Sequence, residues 1–212
     1  MRKPPSHLVA REGWILIAAA GLLMILAVRL SSVGLGVLAL ILLVLLIMLF
    51  RDPHRTIPSL PLAVLAPLDG TIKSIEHTDR GCLDREATCI TMRVDNFGAY
   101  SARAPVEGKV LNLQDNYNDG SRLVGVSGLW LRTDEDDDVV MLIDGPRWLR
   151  PRSFVGYGER LGQGRRFAFV RIATTARIFI PITSRVEVNR GDYVRSGEDA
   201  LAMLIHDADE AV

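Results

Sequence analysis

Apolar positions fall into two textures along this chain. Up to Phe50 they run almost unbroken: "WILIAAAGLLMILAV" from Trp14 to Val28, then, after "RLSS", "VGLGVLALILLVLLIMLF" from Val33 to Phe50. Neither run has a polar face, so each predicts a helix with apolar surroundings on all sides. At 1.5 Å per residue the runs reach roughly 22–27 Å, slightly under a ~30 Å hydrocarbon core. Trp14 and Phe50 stand where interfacial aromatics belong, and Arg29 can snorkel at the turn. The expected element is a tight transmembrane helical hairpin. Arg2, Lys3 and Arg11 precede it, Arg51 and Arg55 follow it, and the turn holds only Arg29. That asymmetry places both ends, and everything after them, on the cytoplasmic side of the inner membrane. A cleaved signal peptide fits less well, because it calls for a small-residue cleavage site and no second run. A hairpin dipping into one leaflet is the other alternative.

After Phe50 the apolar runs are short: "GTIKSI", "CITMRV", "GKVLNL", "VVMLI", "RFAFVRI", "ARIFIPI", "RVEVN" and "ALAMLI". Gly, Pro, Asn and Asp break them at close intervals, the signature of a β sandwich or barrel. Two pairs of segments echo each other. "APLDGTI" at Ala66 returns as "APVEGKV" at Ala104, each a turn entering a strand. "GERLGQGRRFAFV" at Gly158 returns as "GDYVRSGEDALAML" at Gly191, both with Gly-x-x-aliphatic-x-x-Gly. The paired repeats resemble lipoyl and biotinyl carrier domains, whose quasi-symmetric halves interlock. The fold expected is therefore mainly β: an interlocked sandwich with a quasi-two-fold repeat, behind the N-terminal hairpin. Three regions follow: tail and hairpin over 1–50, a basic proline-containing linker over 51–65, and a β domain over 66–212.

Charge changes the picture little. Lys and Arg number 25, as do Asp and Glu, so bulk electrostatics give no reason to expect a nucleic-acid partner. Cys82 and Cys89 are too few for a metal site, and a cytoplasmic domain favours two unpaired thiols over a disulfide. The run "DEDDD" from Asp134 to Asp138 reads as a solvated loop, without the spacing or glycine of a calcium loop. "FRDPHRTIP", Phe50 to Pro58, reads as a stiff basic collar at the headgroup level, suited to anionic phospholipid.

Taken in order, "AREGW", "FRDPHRTIP", "APLDGTI", "RAPVEGKV", "GERLGQGRRFAFVRI", "ARIFIP" and "GDYVRSGE" resemble the phosphatidylserine decarboxylases of the short type with an N-terminal membrane hairpin. The resemblance runs through nearly the whole length. It implies a lyase of phospholipid biosynthesis that cuts its own chain at a Gly-Ser pair. There the serine hydroxyl attacks the preceding carbonyl, helped by a histidine that an aspartate orients. The new N-terminus becomes a pyruvoyl group, the electron sink for loss of CO₂.

Transfer of that site is uneven. Asp69 matches the family's aspartate. Tyr100, in "FGAYSARAPV", stands at the histidine position, and Ala173-Thr174, in "RIATTARIFIP", at the Gly-Ser pair. Arg103 and Arg171 match family arginines and are expected to face a serine carboxylate or a phosphate, with a surface ion pair the alternative for each. Thr174 would give a 2-oxobutyryl group in place of pyruvoyl, and its β-methyl crowds a strained turn. A phenol of pKa near ~10 is a poor base, about 3.5 units above histidine and worth roughly three orders of magnitude in rate. Of the four histidines, His7, His54, His77 and His206, only His77 is a candidate replacement. The expectation is an uncleaved, catalytically impaired homologue with no cofactor, which binds phospholipid headgroups, a catalytic homologue or its own copies at the bilayer. An active decarboxylase carrying the 2-oxobutyryl group is the alternative. A lipoyl-like carrier would need an exposed lysine at a hairpin tip, whereas Lys73 and Lys109 lie inside strand-like runs.

Overall fold

The computed structural model describes residues 13–51, 53, 55–79, 82–83, 85–111, 126–146, 149, 151–170 and 172–205. Packing divides the chain into two units: Met1–His54 with Phe97–Tyr100, and Arg55–Asn96 with Ser101–Val212.

The first unit is a helical hairpin, α1 (Trp14–Arg29) and α2 (Val33–Leu49). Ser31 turns the chain at φ 50°, and the Ser32 hydroxyl caps α2 by accepting from Leu35 N–H. The helices meet through small residues: Ala20, Ala27 and Ala39 are buried, and Gly36 faces Ala27. Ile15, Val28, Val33 and Ile41 are exposed, so apolar surface faces outward on both helices. The span expectation needs correction. The helices are 16 and 17 residues long, roughly 24–26 Å at 1.5 Å per residue, and no helix among the described residues is long and apolar enough to cross a membrane.

The second unit is built of strands: β1 (Ala63–Leu65), β2 (Gly70–Thr78), β3 (Ala87–Val94), β4 (Ser101–Arg103), β5 (Gly108–Leu111), β6 (Val126–Arg132), β7 (Asp138–Asp144), β8 (Arg152–Ser153), β9 (Arg160–Leu161), β10 (Arg166–Phe169), β11 (Thr175–Ile180), β12 (Arg185–Val186), β13 (Tyr193–Val194) and β14 (Ala200–Met203). They make an eight-stranded sheet, β13-β2-β3-β11-β7-β6-β5-β9, and two three-stranded sheets, β1-β14-β12 and β4-β10-β8. Alternation in β11 sends Ala176, Ile178 and Ile180 into a core shared with Ile72, Ile90, Met92, Leu131 and Met141.

The echoing segments take matching places in the strand order and in the hydrogen bonding. The large sheet reads the same from either edge about the β11–β7 pair, where Ile178 faces Met141. Backbone hydrogen bonds repeat in kind. Ile72 N–H reaches Asp192 O at 2.9 Å and Val110 N–H reaches Glu159 O at 2.8 Å. Gly197 N–H bonds Ala66 O at 2.7 Å, and Gly164 N–H bonds Ala104 O at 2.9 Å. A Cβ on Gly70 would stand 2.2 Å from Arg93 O, and one on Gly108 2.3 Å from Arg132 O, so both turns admit only glycine. One half is continuous, β4 to β10. The other, which begins first in the chain, is β1 to β3 completed by β11 to β14, with the continuous half inserted between β3 and β11.

That insertion explains the "DEDDD" run. Thr133 N–H bonds Asp137 O at 2.9 Å, closing the turn from β6 to β7, and Val94 N–H bonds Thr174 O at 3.2 Å in the matching place. The acidic run is thus the short-turn counterpart of the junction where β11 begins. Its solvated reading fails at Asp138, which is buried. The carboxylate accepts from Trp130 Nε1 at 2.7 Å, Arg132 Nε at 2.9 Å and Arg85. Burial alone would push that carboxyl up, but the bonds from Arg132, Trp130 and Arg85 hold it below the usual range. Cys82 and Cys89 are free thiols. Burial pushes Cys82 up to about 11 and raises Cys89 as well.

Candidate functional site

The end of β3 gathers the residues singled out in the β unit. Val94 N–H bonds the Thr174 carbonyl, Asp95 N–H bonds the Asp69 carbonyl at 2.8 Å, and the Asn96 side chain holds Ala173. Asp69 and the Ala173-Thr174 pair, 104 positions apart in sequence, are therefore tied to three consecutive residues.

Ala173 is fully buried. Its N–H donates to Asn96 Oδ1 at 2.8 Å, and its carbonyl accepts from Asn96 Nδ2 at 3.0 Å. A flipped amide would set donor against donor, so the orientation is fixed by its partners. Gly145 leaves room on another side, where a Cβ would stand 2.7 Å from Ile172 O. Thr174 sends both its N–H, at 2.8 Å, and its hydroxyl, at 3.1 Å, to the backbone carbonyl of Asp144. The next hydroxyl, Thr175 Oγ1, donates to the Asp144 carboxylate at 3.2 Å, which also pairs with Arg177 at 3.2 Å. Of the two threonines, Thr175 is the strand residue and Thr174 precedes the strand with its side chain exposed.

Asp69 is 2% exposed. Its Oδ2 accepts from Arg55 Nη2 at 2.7 Å and its Oδ1 from Ser196 N–H at 2.6 Å. Arg55 reaches on to Glu198 at 3.2 Å, and Ser196 Oγ donates to Pro67 O at 2.9 Å. Arg55, expected in the collar facing headgroups, thus sits in a largely buried ion pair within the β unit. Beside this pair, Tyr193 donates its hydroxyl to Asp95 Oδ2 at 3.0 Å. Burial, that bond and the charges of Asp69 and Asp95 push the phenol up to about 12, so it keeps its proton at neutral pH.

Tyr100 belongs to the hairpin unit. It is 3% exposed, its ring lies 5.0 Å from that of Phe50, and its N–H donates to Arg51 O. Arg103 is 5% exposed; its guanidinium donates to Gly164 O at 3.0 Å, and its Cδ lies where a Cβ on Gly197 would come within 2.6 Å. Arg171 lies outside the described residues, as do His7, His54 and His206. His77 falls inside β2, with Nδ1 3.0 Å from Thr88 Oγ1. Thr88 stands six residues along β3 from Val94, about 20 Å at ~3.3 Å per residue, so His77 is out of reach of Thr174. Among the described residues no group of three or more His, Cys, Asp or Glu side chains could hold a metal ion.

Sequence reasoning missed Asn96, Asp144, Arg55 and Ser196 as members of this site. "VDNFG" advertises a turn, but nothing in it marks Asn96 as a partner of a residue 77 positions on.

No family model matches the chain. Among curated proteins it is similar to the phosphatidylserine decarboxylase proenzyme of Nitrosomonas eutropha, 35% identical over 210 residues, covering 93% of this chain and 96% of that one. The proenzyme of Nitrosomonas europaea is 34% identical over 208 residues with the same coverage. That of Burkholderia ambifaria is 32% identical over 211 residues, 94% of this chain and 98% of its own. Among solved structures, the glucose permease IIA from Mycoplasma capricolum aligns with 66% of this chain and 94% of its own at TM-score 0.44 and 20% identity.

Proposed function

The chain belongs to the phosphatidylserine decarboxylase family, and from that premise we propose that it is an uncleaved, catalytically impaired member that sits on the phospholipid bilayer. The observation that carries this reading is the Thr174 hydroxyl. It gives its hydrogen to the backbone carbonyl of Asp144, an oxygen too weakly basic to take the proton an attacking hydroxyl must lose. The carboxylate of Asp69, matching the family's aspartate, holds a guanidinium and a backbone N–H. Tyr100 offers a phenol in place of an imidazole.

The family's pyruvoyl group does not fit these residues. Pyruvoyl derives from serine, whereas Thr174 carries an extra methyl and follows a buried Ala173 rather than glycine.

The rest of the reading concerns attachment and fold. The apolar surfaces of α1 and α2 bury themselves in the cytoplasmic leaflet of the inner membrane as a short re-entrant hairpin, with Arg51 among the headgroups. The β unit is an interlocked sandwich of the lipoyl type, supported by its repeated hydrogen bonds. It takes phospholipid headgroups or a catalytic homologue as partner. Intact mass and a denaturing gel test the central claim. One species at the full chain mass is expected. Two fragments divided before Thr174, the shorter with a blocked keto terminus, would instead establish the active 2-oxobutyryl decarboxylase. Tyr100→His with Ala173→Gly and Thr174→Ser should restore cleavage; no fragment in that variant would count against the proposed correspondence of positions.

A further inference from the structure

We propose that Asn96 grips and polarises the Ala173–Thr174 junction, serving as the oxyanion donor for any attack on the Ala173 carbonyl. The inference deepens the reading of 173–174 as the cleavage position and rests on it. A strand entering a sheet usually satisfies its backbone with a neighbouring strand. Here a side-chain amide takes both polar groups of one residue, N–H at 2.8 Å and C=O at 3.0 Å. Asn96 is pinned in turn by its neighbours, because Asp95 N–H is bonded to Asp69 O and Val94 N–H to Thr174 O. The donor is therefore preorganised and needs no movement to meet developing charge.

The chemistry it would serve balances. The hydroxyl oxygen of residue 174 bonds to the carbonyl carbon of residue 173, and its proton leaves to a base. The carbonyl electron pair moves onto oxygen, where Asn96 Nδ2 already donates. The pair returns, the C–N bond to residue 174 breaks, and that nitrogen takes up a proton to become an amine beside the new ester. Carbonyl activation thus survives in this chain, while the proton acceptor does not. The same amide also holds Ala173 in the conformation of the intact peptide. In the unaltered protein Asn96 is accordingly a positioning residue, and it becomes a catalytic one when a base is supplied.

The first measurement uses the chain as it exists. Labelling alanine carbonyls with ¹³C and threonine amides with ¹⁵N gives signals only at Ala-Thr pairs, which occur at 87–88 and 173–174. Asn96→Asp keeps the shape and the acceptor but loses the donor. It should move the Ala173 carbonyl resonance upfield while Ala87 stays in place. An unmoved Ala173 resonance, with Ala87 also unmoved, would overturn the proposal. The second measurement adds Asn96→Asp or Asn96→Ala to the Tyr100→His, Ala173→Gly, Thr174→Ser background, with ester formation read by hydroxylamine trapping. Loss of one oxyanion donor should slow the acyl shift about 10²- to 10³-fold, far more than the small drop in thermal unfolding that losing one hydrogen bond gives the uncleaved chain in Asn96→Asp. An equal rate would overturn the donor role. If the background variant does not cleave at all, the positional correspondence fails, and the carbonyl resonance alone decides the grip of Asn96.

Discussion

Asp69 and Glu107 occupy the same place in the two halves of the β unit, each before a glycine that admits no side chain, yet they live in different solvents. Asp69 is buried against Arg55 and the Ser196 N–H, while Glu107 is exposed and pairs with exposed Arg160 at 3.2 Å. Backbone geometry cannot explain the contrast, because the surrounding hydrogen bonds repeat. Its origin lies in what each half receives from outside. Residues 55–60 give the first half a cation, as Arg55 meets Asp69 and Thr56 N–H meets Glu198 at 3.2 Å, whereas the second half meets them through Gln163, whose amide holds Leu60 O at 3.0 Å. A duplicated frame supplies position; the added segment decides which copy becomes a low-dielectric site.

Four measurements would break or sharpen the comparison. The largest effects should come from Gly70→Ala and Gly108→Ala, where a Cβ overlaps a neighbouring carbonyl oxygen in each half. Each should lose about 4 kcal/mol or more of stability, enough to abolish the folded domain, and unequal damage would show that the frame is not shared. Next, Asp69→Asn leaves Arg55 paired with Glu198 alone and should cost about 2–3 kcal/mol in denaturant unfolding. Glu107→Gln should change stability by less than about 1 kcal/mol, because its pair is solvated. Comparable losses would erase the contrast.

Third, Asp138 tests the buried carboxylate of the second half by pH. Its folded-state value lies below the unfolded one, so its bonds add stability that is present above the unfolded value, near ~4, and lost as pH falls through the folded value. Asp138→Asn should cost about 1–3 kcal/mol at neutral pH, discounted because Arg85 and Arg132 are half exposed, and the gap to the parent should close in acid. A gap constant with pH would assign the effect to packing. Smallest is Thr175→Val, which removes one hydroxyl bond to Asp144 and should cost about 1 kcal/mol in thermal unfolding.

What was legible in the sequence follows the length of each periodic signal. Helix bounds at Trp14 and Val33 could be read because each apolar run is long. β2, β3, β7 and β11 announced themselves by β-branched runs, and the paired Gly-x-x-aliphatic-x-x-Gly segments disclosed the repeat. β6 was missed because Gly128 interrupts "VSGLWLR". β8, β9 and β13 are two residues long, too short to carry a period. Within the site, Asp69 and Ala173-Thr174 were found through family resemblance rather than pattern. Asn96, Arg55 and Ser196 act through contacts that close only in three dimensions. In the acidic run Asp134 to Asp136 are exposed, as charge suggests, whereas three donors at Asp138 make its burial tolerable.

The threading of one half through the other has a consequence for covalent continuity. Three strands after Ala173 are stitched sideways into what comes before it: β11 lies between β3 and β7, β13 borders β2, and β14 borders β1. A nick at that junction would leave two polypeptides laced by the same ladders as the unbroken chain. The architecture therefore tolerates scission there as readily as intactness, and whether the bond survives is a matter of local chemistry alone.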